Sequence, residues 1–526
     1  MIKKLLMGGA VLAVSAPMAL AEYSITILHT NDFHDRFEPI NRFDSSCSEE
    51  DNAEGKCFGG MARIVTAVEA AKARHDNFLL VDAGDMFQGT LFYQFYRGDV
   101  AAEMMNKMGY DAMAVGNHEF NHGPESLASF VEKAEFPVLM SNADLSSEPA
   151  LKDLVLKSTV VEKAGERIGL VGVTPRNNDE LSSPGPNIVF TDPSPAIQAE
   201  VDAMTADGIN KIIVLSHSGY ATDNVIAINT TDVDLIVGGH SNTFLSNTDE
   251  DADGPYPDVV NSVPIVQAYA YGKYLGELEI VFDDDGKVIS ATGEPVLLDA
   301  SIAEDEPTKA RIAELASPLD EIRNEVVAEA ADSIEGDRSV CRAMECPMGN
   351  LIADAILDRV KDQGISVALQ NGGGIRASID AGPITKGEVL TVLPFQNTLS
   401  TFQVTGATLK DALENAVLQY DDPDATGRFA QVAGMKYTIN KSAEFGSRIS
   451  DIMVMEDGAF VPMDPDKTYG VVSNNFIRKG GDGYEMFVNA DNAYDFGPDL
   501  ADVFANYLAA QGPVTPFVDG RITIVE

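Results

Sequence analysis

The sequence predicts a two-domain protein of the α/β (α+β) class, and three observations lead to it. The chain has 526 residues, more than one ordinary core of ~100–200 residues holds. Its first half alternates short β-branched apolar runs with helical patterns, as β-α-β units do. Its seven histidines stand at 29, 34, 75, 118, 122, 217 and 240. None lies beyond 240, so any imidazole chemistry belongs to the first half.

The elements follow in order. Residues 1–21 read as a secretory signal peptide: Lys3 and Lys4 form a basic start, residues 5–14 are mostly apolar, and Ala19-Leu20-Ala21 fits a small-x-small cleavage site. Position 22 is Glu rather than Cys, which argues against a lipoprotein anchor. Residues 25–28, 78–81, 112–115, 212–215 and 235–237 read as strands, and residues 60–74 as a helix. Residues 307–325 are helical and charged, interrupted by Ser317-Pro318. Two stacked helical turns or a bent helix would fit, acting as a linker. New strand patterns follow at 326–328, 367–369 and 522–525.

Composition excludes several classes. Apolar residues make up 45% and charged residues 23%, which rules out a mostly disordered, collagen-like or coiled-coil chain. With 37 Lys+Arg against 82 Asp+Glu the net charge is −45. Such a chain does not track a nucleic-acid polymer or an anionic membrane through bulk charge. An anionic substrate must be captured by metals or a local Arg cluster. No stretch after the leader approaches the ~20 apolar residues of a membrane span. The expected location is the periplasm or the medium, where cysteines oxidise. Cys47 with Cys57 and Cys341 with Cys346 form two local pairs. Disulfides are expected; the alternative, a zinc site, lacks zinc-finger spacing.

Every N-terminal strand end carries metal-binding side chains: Asp32-x-His34, Asp85, Asn117-His118, His217 and His240-x-Asn242. Two neighbouring divalent ions need this mixture. A carboxylate can bridge them, imidazoles suit zinc or manganese, and amide oxygens limit the negative charge. Asp85 is the expected bridge. Open α/β sheets gather their sites at the carboxyl ends of strands, so five strand ends can converge on one cleft.

Five such fragments in order resemble the binuclear metallophosphoesterases, and within them the 5′-nucleotidase family of secreted bacterial and animal enzymes. The resemblance spans almost the whole mature chain. It implies an N-terminal metallophosphoesterase β-sandwich flanked by helices (22–306), a helical linker (307–325) and a C-terminal α/β substrate-binding domain (326–526). It implies two divalent metal ions, zinc, with manganese or cobalt as alternatives. One would be held by Asp32, His34, Asp85 and Asn242, the other by Asp85, Asn117, His217 and His240. His118 matches the catalytic histidine that contacts phosphate. The family's ecto-nucleotidases carry Asp three residues later, where this chain has Asn121. An amide can orient the imidazole but cannot stabilise an imidazolium as a carboxylate does. Asn here is also similar to the cyclic-nucleotide phosphodiesterase branch.

The second half holds Asn371-Gly372-Gly373-Gly374-Ile375-Arg376, Leu393-Pro394-Phe395, Asn475-Phe476 and Gly480-Gly481-Asp482, with Arg342 between Cys341 and Cys346. Glycines let a ligand approach the backbone, and Arg offers a planar fork for phosphate. The resemblance implies that Arg342 and Arg376 bind phosphate, Phe395 and Phe476 sandwich the base, and Asn371 and Asp482 bind base and ribose. The other fate of a Phe is the core.

The expected activity is hydrolysis of nucleoside 5′-monophosphates such as AMP, with the nucleotide as the expected partner and no nucleic-acid polymer or membrane. Alternatives are 2′,3′-cyclic phosphodiesterase with 3′-nucleotidase activity, UDP-sugar hydrolysis, or nucleotide binding without catalysis. The run Asp249-x-Asp251-x-Asp253-Gly254 imitates a calcium loop, but position 260 is Val where such a loop closes with Glu. A solvated acidic turn is expected. His29 and His75 read as structural, and His122 adjoins the site without an assigned role.

Overall fold

The computed structural model describes residues 22–525 apart from 43, 45, 46, 177, 183, 396, 419, 421–425 and 496. The signal-peptide expectation for residues 1–21 lies outside them. The N-terminal half is built on two six-stranded sheets packed face to face. In the first, Tyr23–Thr30 lies between Tyr274–Phe282, its antiparallel neighbour, and Phe78–Asp82, its parallel one. Ala112–Ala114 and Val138–Leu139 continue the parallel run. In the second, Glu166–Val173, Ile212–Ser216 and Leu235–Gly238 run parallel.

Burial explains why these strands read as unbroken apolar runs rather than alternations. Ile27, Leu79 and Val81 from one sheet meet Leu170, Leu215 and Val237 from the other in a shared core. The outer face of the first sheet is covered by helices including Met61–Arg74 and Asp99–Met108, that of the second by Pro193–Ala206 and Tyr220–Asn229. Strands covered on both faces have no polar side to show. This is the helix-flanked β-sandwich the resemblance implied.

The C-terminal half carries sheets of three, five and four strands. Val367–Asn371 sits inside the five-stranded sheet beside Thr468–Asn474 and Ala430–Ala433, which brings both glycine-rich loops to one edge. Between the halves runs a single helix, Glu306–Arg323, with Pro318 inside it. Proline removes one helical hydrogen bond, yet packing holds the segment continuous. Ile312, Leu315 and Leu319 are buried against the N-terminal core, to which Leu390 of the C-terminal half also packs. Arg323 donates to Glu38 at 2.9 Å.

Both expected disulfides form, Cys47–Cys57 and Cys341–Cys346, which closes the zinc alternative. Cys346 Sγ also caps the helix Pro347–Arg359 by accepting from the Gly349 N–H. His29 is fully buried with Nε2 2.8 Å from the Tyr256 hydroxyl, and His75 pairs with Glu277. In the acidic turn Asp249 accepts from the Asp251 N–H and Asp253 from the Phe244 N–H. No helix among the described residues is long and apolar enough to cross a membrane.

Candidate active site

Five strand ends meet where the two sheets open. Asp32 and His34 follow Tyr23–Thr30, Asp85 follows Phe78–Asp82, and Asn117 follows Ala112–Ala114. His217 follows Ile212–Ser216, and His240 and Asn242 follow Leu235–Gly238. Of these seven residues, five have left-handed backbones: Asp32 (φ 50°), His34 (52°), Asp85 (59°), His240 (75°) and Asn242 (56°). Such conformations persist only where the surroundings enforce them, and they gather at functional sites. Here the enforcement is visible. Asp32 N–H donates to the Gly84 carbonyl and His34 N–H to that of Asp85. The His240 N–H donates to Asp32 Oδ2 at 2.9 Å, and the His118 N–H to Asp85 Oδ1 at 2.8 Å.

The side chains form two overlapping clusters, His34/Asp85/His118 and Asp85/His217/His240, each with its ligand atoms within 4.8 Å of one another. Asp85 belongs to both, as a bridge must. The donor atoms are aimed. His217 Nδ1 is 2.7 Å from the Ala83 carbonyl, which makes it the N–H and leaves Nε2 to face Asp85 Oδ2 at 3.0 Å. His34 Nδ1 lies 3.2 Å from the Phe87 carbonyl, so its Nε2 also points inward. Asn242 Oδ1 is buried without a hydrogen-bond partner, and Asn117 Oδ1 and His240 Nδ1 converge at 2.8 Å. Buried acceptors left unpaired and turned to one point suit cations. Nitrogen and oxygen donors of this kind fit zinc, manganese or cobalt.

Electrostatics agrees. Burial, with Asp85 adding to it, pushes Asp32 up to about 7. Burial opposes the charge of Asp85 too, but His217, His118 and His34 outweigh it and hold that carboxyl well below the usual range. Burial lowers His217, but Asp85 and Asp32 overcome it and raise it to about 10. Burial takes His34 down to about 3 and His240 to about 4, so both offer neutral nitrogens. Two carboxylates buried together draw positive charge, and the ring opposite supplies it in proton form.

Across the cleft, a cavity of about 790 Å³ is lined by Asp32, His34, Asp85, Asn117, His118, His240 and Asn242 from one half and by Arg376, Phe395, Phe476 and Asp482 from the other. His217 lies fully buried behind it. Arg342 and Asn371 are not in its lining, but both act on lining groups. Asn371 Nδ2 donates to Asp482 Oδ2 at 2.6 Å, and the charge of Arg342 bears on Arg376. Burial first, then the neighbouring guanidiniums of Arg338 and Arg342, takes Arg376 down to about 10. Burial and Arg338 lower Arg342, whose Nε is buried without a partner. Crowded cations of this kind suit an anion. The Arg376 guanidinium lies 5.3 Å over the Phe395 ring. Phe476 is 40% exposed, so it is not a core residue.

Residues 25–244 match the calcineurin-like phosphoesterase family model, and residues 326–489 match that of the 5′-nucleotidase C-terminal domain. The chain is similar to a 5′-nucleotidase of Diplobatis ommata, 40% identical over 96% of this chain and 91% of that one. The chain belongs to the 5′-nucleotidase family. A human 5′-nucleotidase is also 40% identical, over 96% and 91% of the two chains. A snake venom 5′-nucleotidase of Naja atra is 37% identical over 95% and 98%. Among solved structures, the 5′-nucleotidase precursor of Thermus thermophilus superposes with a TM-score of 0.80 at 41% identity, covering 96% of this chain and 99% of that one.

This 5′-nucleotidase family member is therefore a phosphoric monoester hydrolase. Asn121 places Oδ1 3.2 Å from His118 Nδ1, so the amide reaches the ring. Other residues are not singled out by the sequence alone. Glu119, fully buried, accepts the backbone N–H groups of Gly116 at 2.7 Å, Asp85 at 3.0 Å and Phe87 at 3.2 Å. It thereby joins the loops of two ligands. At Gly116 a side chain would collide with both Asp85 and Glu119, which is why glycine precedes Asn117. Asn31 donates to Asp32 Oδ2 at 2.9 Å. A signal existed for Glu119, which directly follows Asn117-His118 just past the apolar run 112–115: an acid so close to a buried strand end needs partners, since Glu is almost never fully buried unless paired. Arg36, Tyr271 and Arg338 also line the cavity, with nothing in the sequence to single them out.

Proposed function

We propose that this protein is an exported, metal-dependent 5′-nucleotidase that hydrolyses nucleoside 5′-monophosphates such as AMP to nucleoside and phosphate. The observation that carries the proposal is the single cavity in which the Asp85 clusters face Arg376, Phe395, Phe476 and Asp482. Residues 22–306 hold the metals, residues 326–526 hold the nucleoside, and 307–325 join them. Asp32, His34, Asp85 and Asn242 hold one ion; Asp85, Asn117, His217 and His240 hold the other, with zinc the best match to the donors. When bound, the pair supplies Lewis acidity and a water acidified towards pH ~7. Arg342 and Arg376 offset the phosphate charge, and His118, oriented by Asn121, stabilises charge developing on the phosphoryl oxygens. Phe395 and Phe476 stack on the base, and Asp482 and Asn371 read ribose and base.

Export rests on the leader-like residues 1–21, on two disulfides, which persist in oxidising compartments, and on the likeness to venom proteins. Turnover of AMP, UDP-glucose and 2′,3′-cyclic AMP by the purified protein tests the proposal. AMP is expected to be the best substrate. Faster turnover of the cyclic nucleotide would assign the protein to the phosphodiesterase branch that Asn121 resembles, and no turnover of any would leave a binding protein.

Substitutions at three positions refine the roles. Phe395→Ala and Phe476→Ala should each weaken nucleotide binding by ~1–3 kcal/mol, the worth of base–aromatic stacking. Hydrolysis of p-nitrophenyl phosphate, too short to span the clamp, should change little. Equal losses on both substrates would make the rings structural. Asn121→Ala, which frees the His118 ring, should lower kcat about ten- to a hundredfold, as loss of an orienting partner does. Asn121→Asp should retain activity. An unchanged kcat in the alanine variant would remove Asn121 from the mechanism.

A further inference from the structure

The nucleoside end of the cleft is held by a network that reaches beyond the residues assigned above, and its role rests on the clamp reading. Asp482 has a left-handed φ of 52° between Gly481 and Gly483, a backbone that a non-glycine residue rarely keeps unaided. Its support comes from outside the turn. The Asp482 carbonyl accepts from Asn415 Nδ2 at 3.1 Å. The buried Asn415 presents its Oδ1 to Arg428 Nη1 at 2.9 Å. Tyr484, two residues past Asp482, donates its hydroxyl to the Arg428 carbonyl at 2.6 Å. Arg428 is thus tied to the turn from both directions, by side chain and by backbone.

The arrangement has a direction. A carboxamide can point either its oxygen or its NH2 at a neighbour. With a guanidinium, which only donates, on one side, Asn415 must turn its oxygen to Arg428 and its NH2 to the Asp482 carbonyl. That holds the turn so that Asp482 Oδ2 meets Asn371 Nδ2 and the carboxylate lines the cavity. The charge acts in the same sense: burial raises the Asp482 pKa, and Asn371, Arg428 and Arg342 each pull it back.

We propose that Arg428, acting through Asn415, is a positioning residue that aims the Asp482 carboxylate at the ribose and so sets the preference for ribonucleotides. It touches no reacting atom, so its effect falls on binding of the nucleoside and not on phosphoryl chemistry.

The test is steady-state kinetics of Arg428→Gln with AMP, 2′-deoxy-AMP and p-nitrophenyl phosphate. KM for AMP is expected to rise about tenfold, the worth of one charge-assisted hydrogen bond, with kcat within about twofold. The ratio of kcat/KM between AMP and 2′-deoxy-AMP should shrink, and p-nitrophenyl phosphate should be unaffected. Arg428→Lys, which keeps the charge and a donor, should recover part of the loss. If Arg428→Gln fails to fold, Asn415→Ala cuts the same link from the other end and should give the same substrate pattern. A double variant should be no worse than the worse single one. Equal losses on AMP and p-nitrophenyl phosphate, or an unchanged ratio between AMP and 2′-deoxy-AMP, would overturn the inference. Failure of the clamp reading looks different: the unsubstituted enzyme would then turn over AMP and p-nitrophenyl phosphate alike, and Phe476→Ala would be silent. If Phe476→Ala weakens AMP binding while Arg428→Gln does not, the clamp stands and the positioning role falls.

Discussion

Asp85→Ala is expected to lower AMP turnover about a thousandfold or more, the loss of several kcal/mol of transition-state stabilisation. It should also lower bound metal from two ions to at most one. No other ligand should match it, because Asp85 alone belongs to both clusters. In the proposed assignment each remaining ligand serves one ion, so His34→Ala or His240→Ala should leave the other ion in place. Metal analysis beside kcat for the three variants checks this. An Asp85→Ala protein that keeps two ions, or that is no worse than His34→Ala, would show that the bridge lies elsewhere.

Glu119→Ala should have the largest effect on stability. Its carboxylate takes up the N–H groups of Gly116, Asp85 and Phe87 in a site closed to water. An orphaned buried donor costs about 1–3 kcal/mol, so the variant should lose ~3–5 kcal/mol and melt on the order of 10 °C lower. Metal affinity should fall about ten- to a hundredfold as the Asp85 loop loosens. Glu119→Gln keeps one acceptor oxygen and should recover part of both. Thermal unfolding and metal titration measure the two effects. A Glu119→Ala protein with unchanged melting temperature would mean that water or a neighbour satisfies those donors.

The metal-site candidates were legible because each follows its own strand. An apolar run that ends in Asp, Asn or His is a local pattern, and five of them in order leave little else to explain. Of the clamp candidates, Asn371, Arg376 and Asp482 stand in or beside glycine runs that a local pattern shows, whereas Arg342, Phe395 and Phe476 came from the family resemblance. What could not be read depends on distance along the chain. The first sheet inserts Tyr274–Phe282 beside Tyr23–Thr30, a pairing no local pattern announces, so the sandwich came from family resemblance and not from periodicity. The left-handed backbones at Asp32 and Asp85 arise from bonds between loops, and Glu119 acts on the backbone of residues more than thirty positions earlier. At Pro318 the local pattern left stacked turns and a bent helix both open; tertiary packing decides between them by carrying one helix, Glu306–Arg323, through the proline.

A metal centre at Asp85 that serves a nucleotide bound by the other half is the core of the proposed mechanism. Its most direct test is to strip the purified protein with a chelator, dialyse it and titrate zinc or manganese back while following phosphate release from AMP. Activity should vanish on stripping and return in full at two ions per chain. Full AMP hydrolysis by the stripped protein in the continued presence of chelator would contradict it.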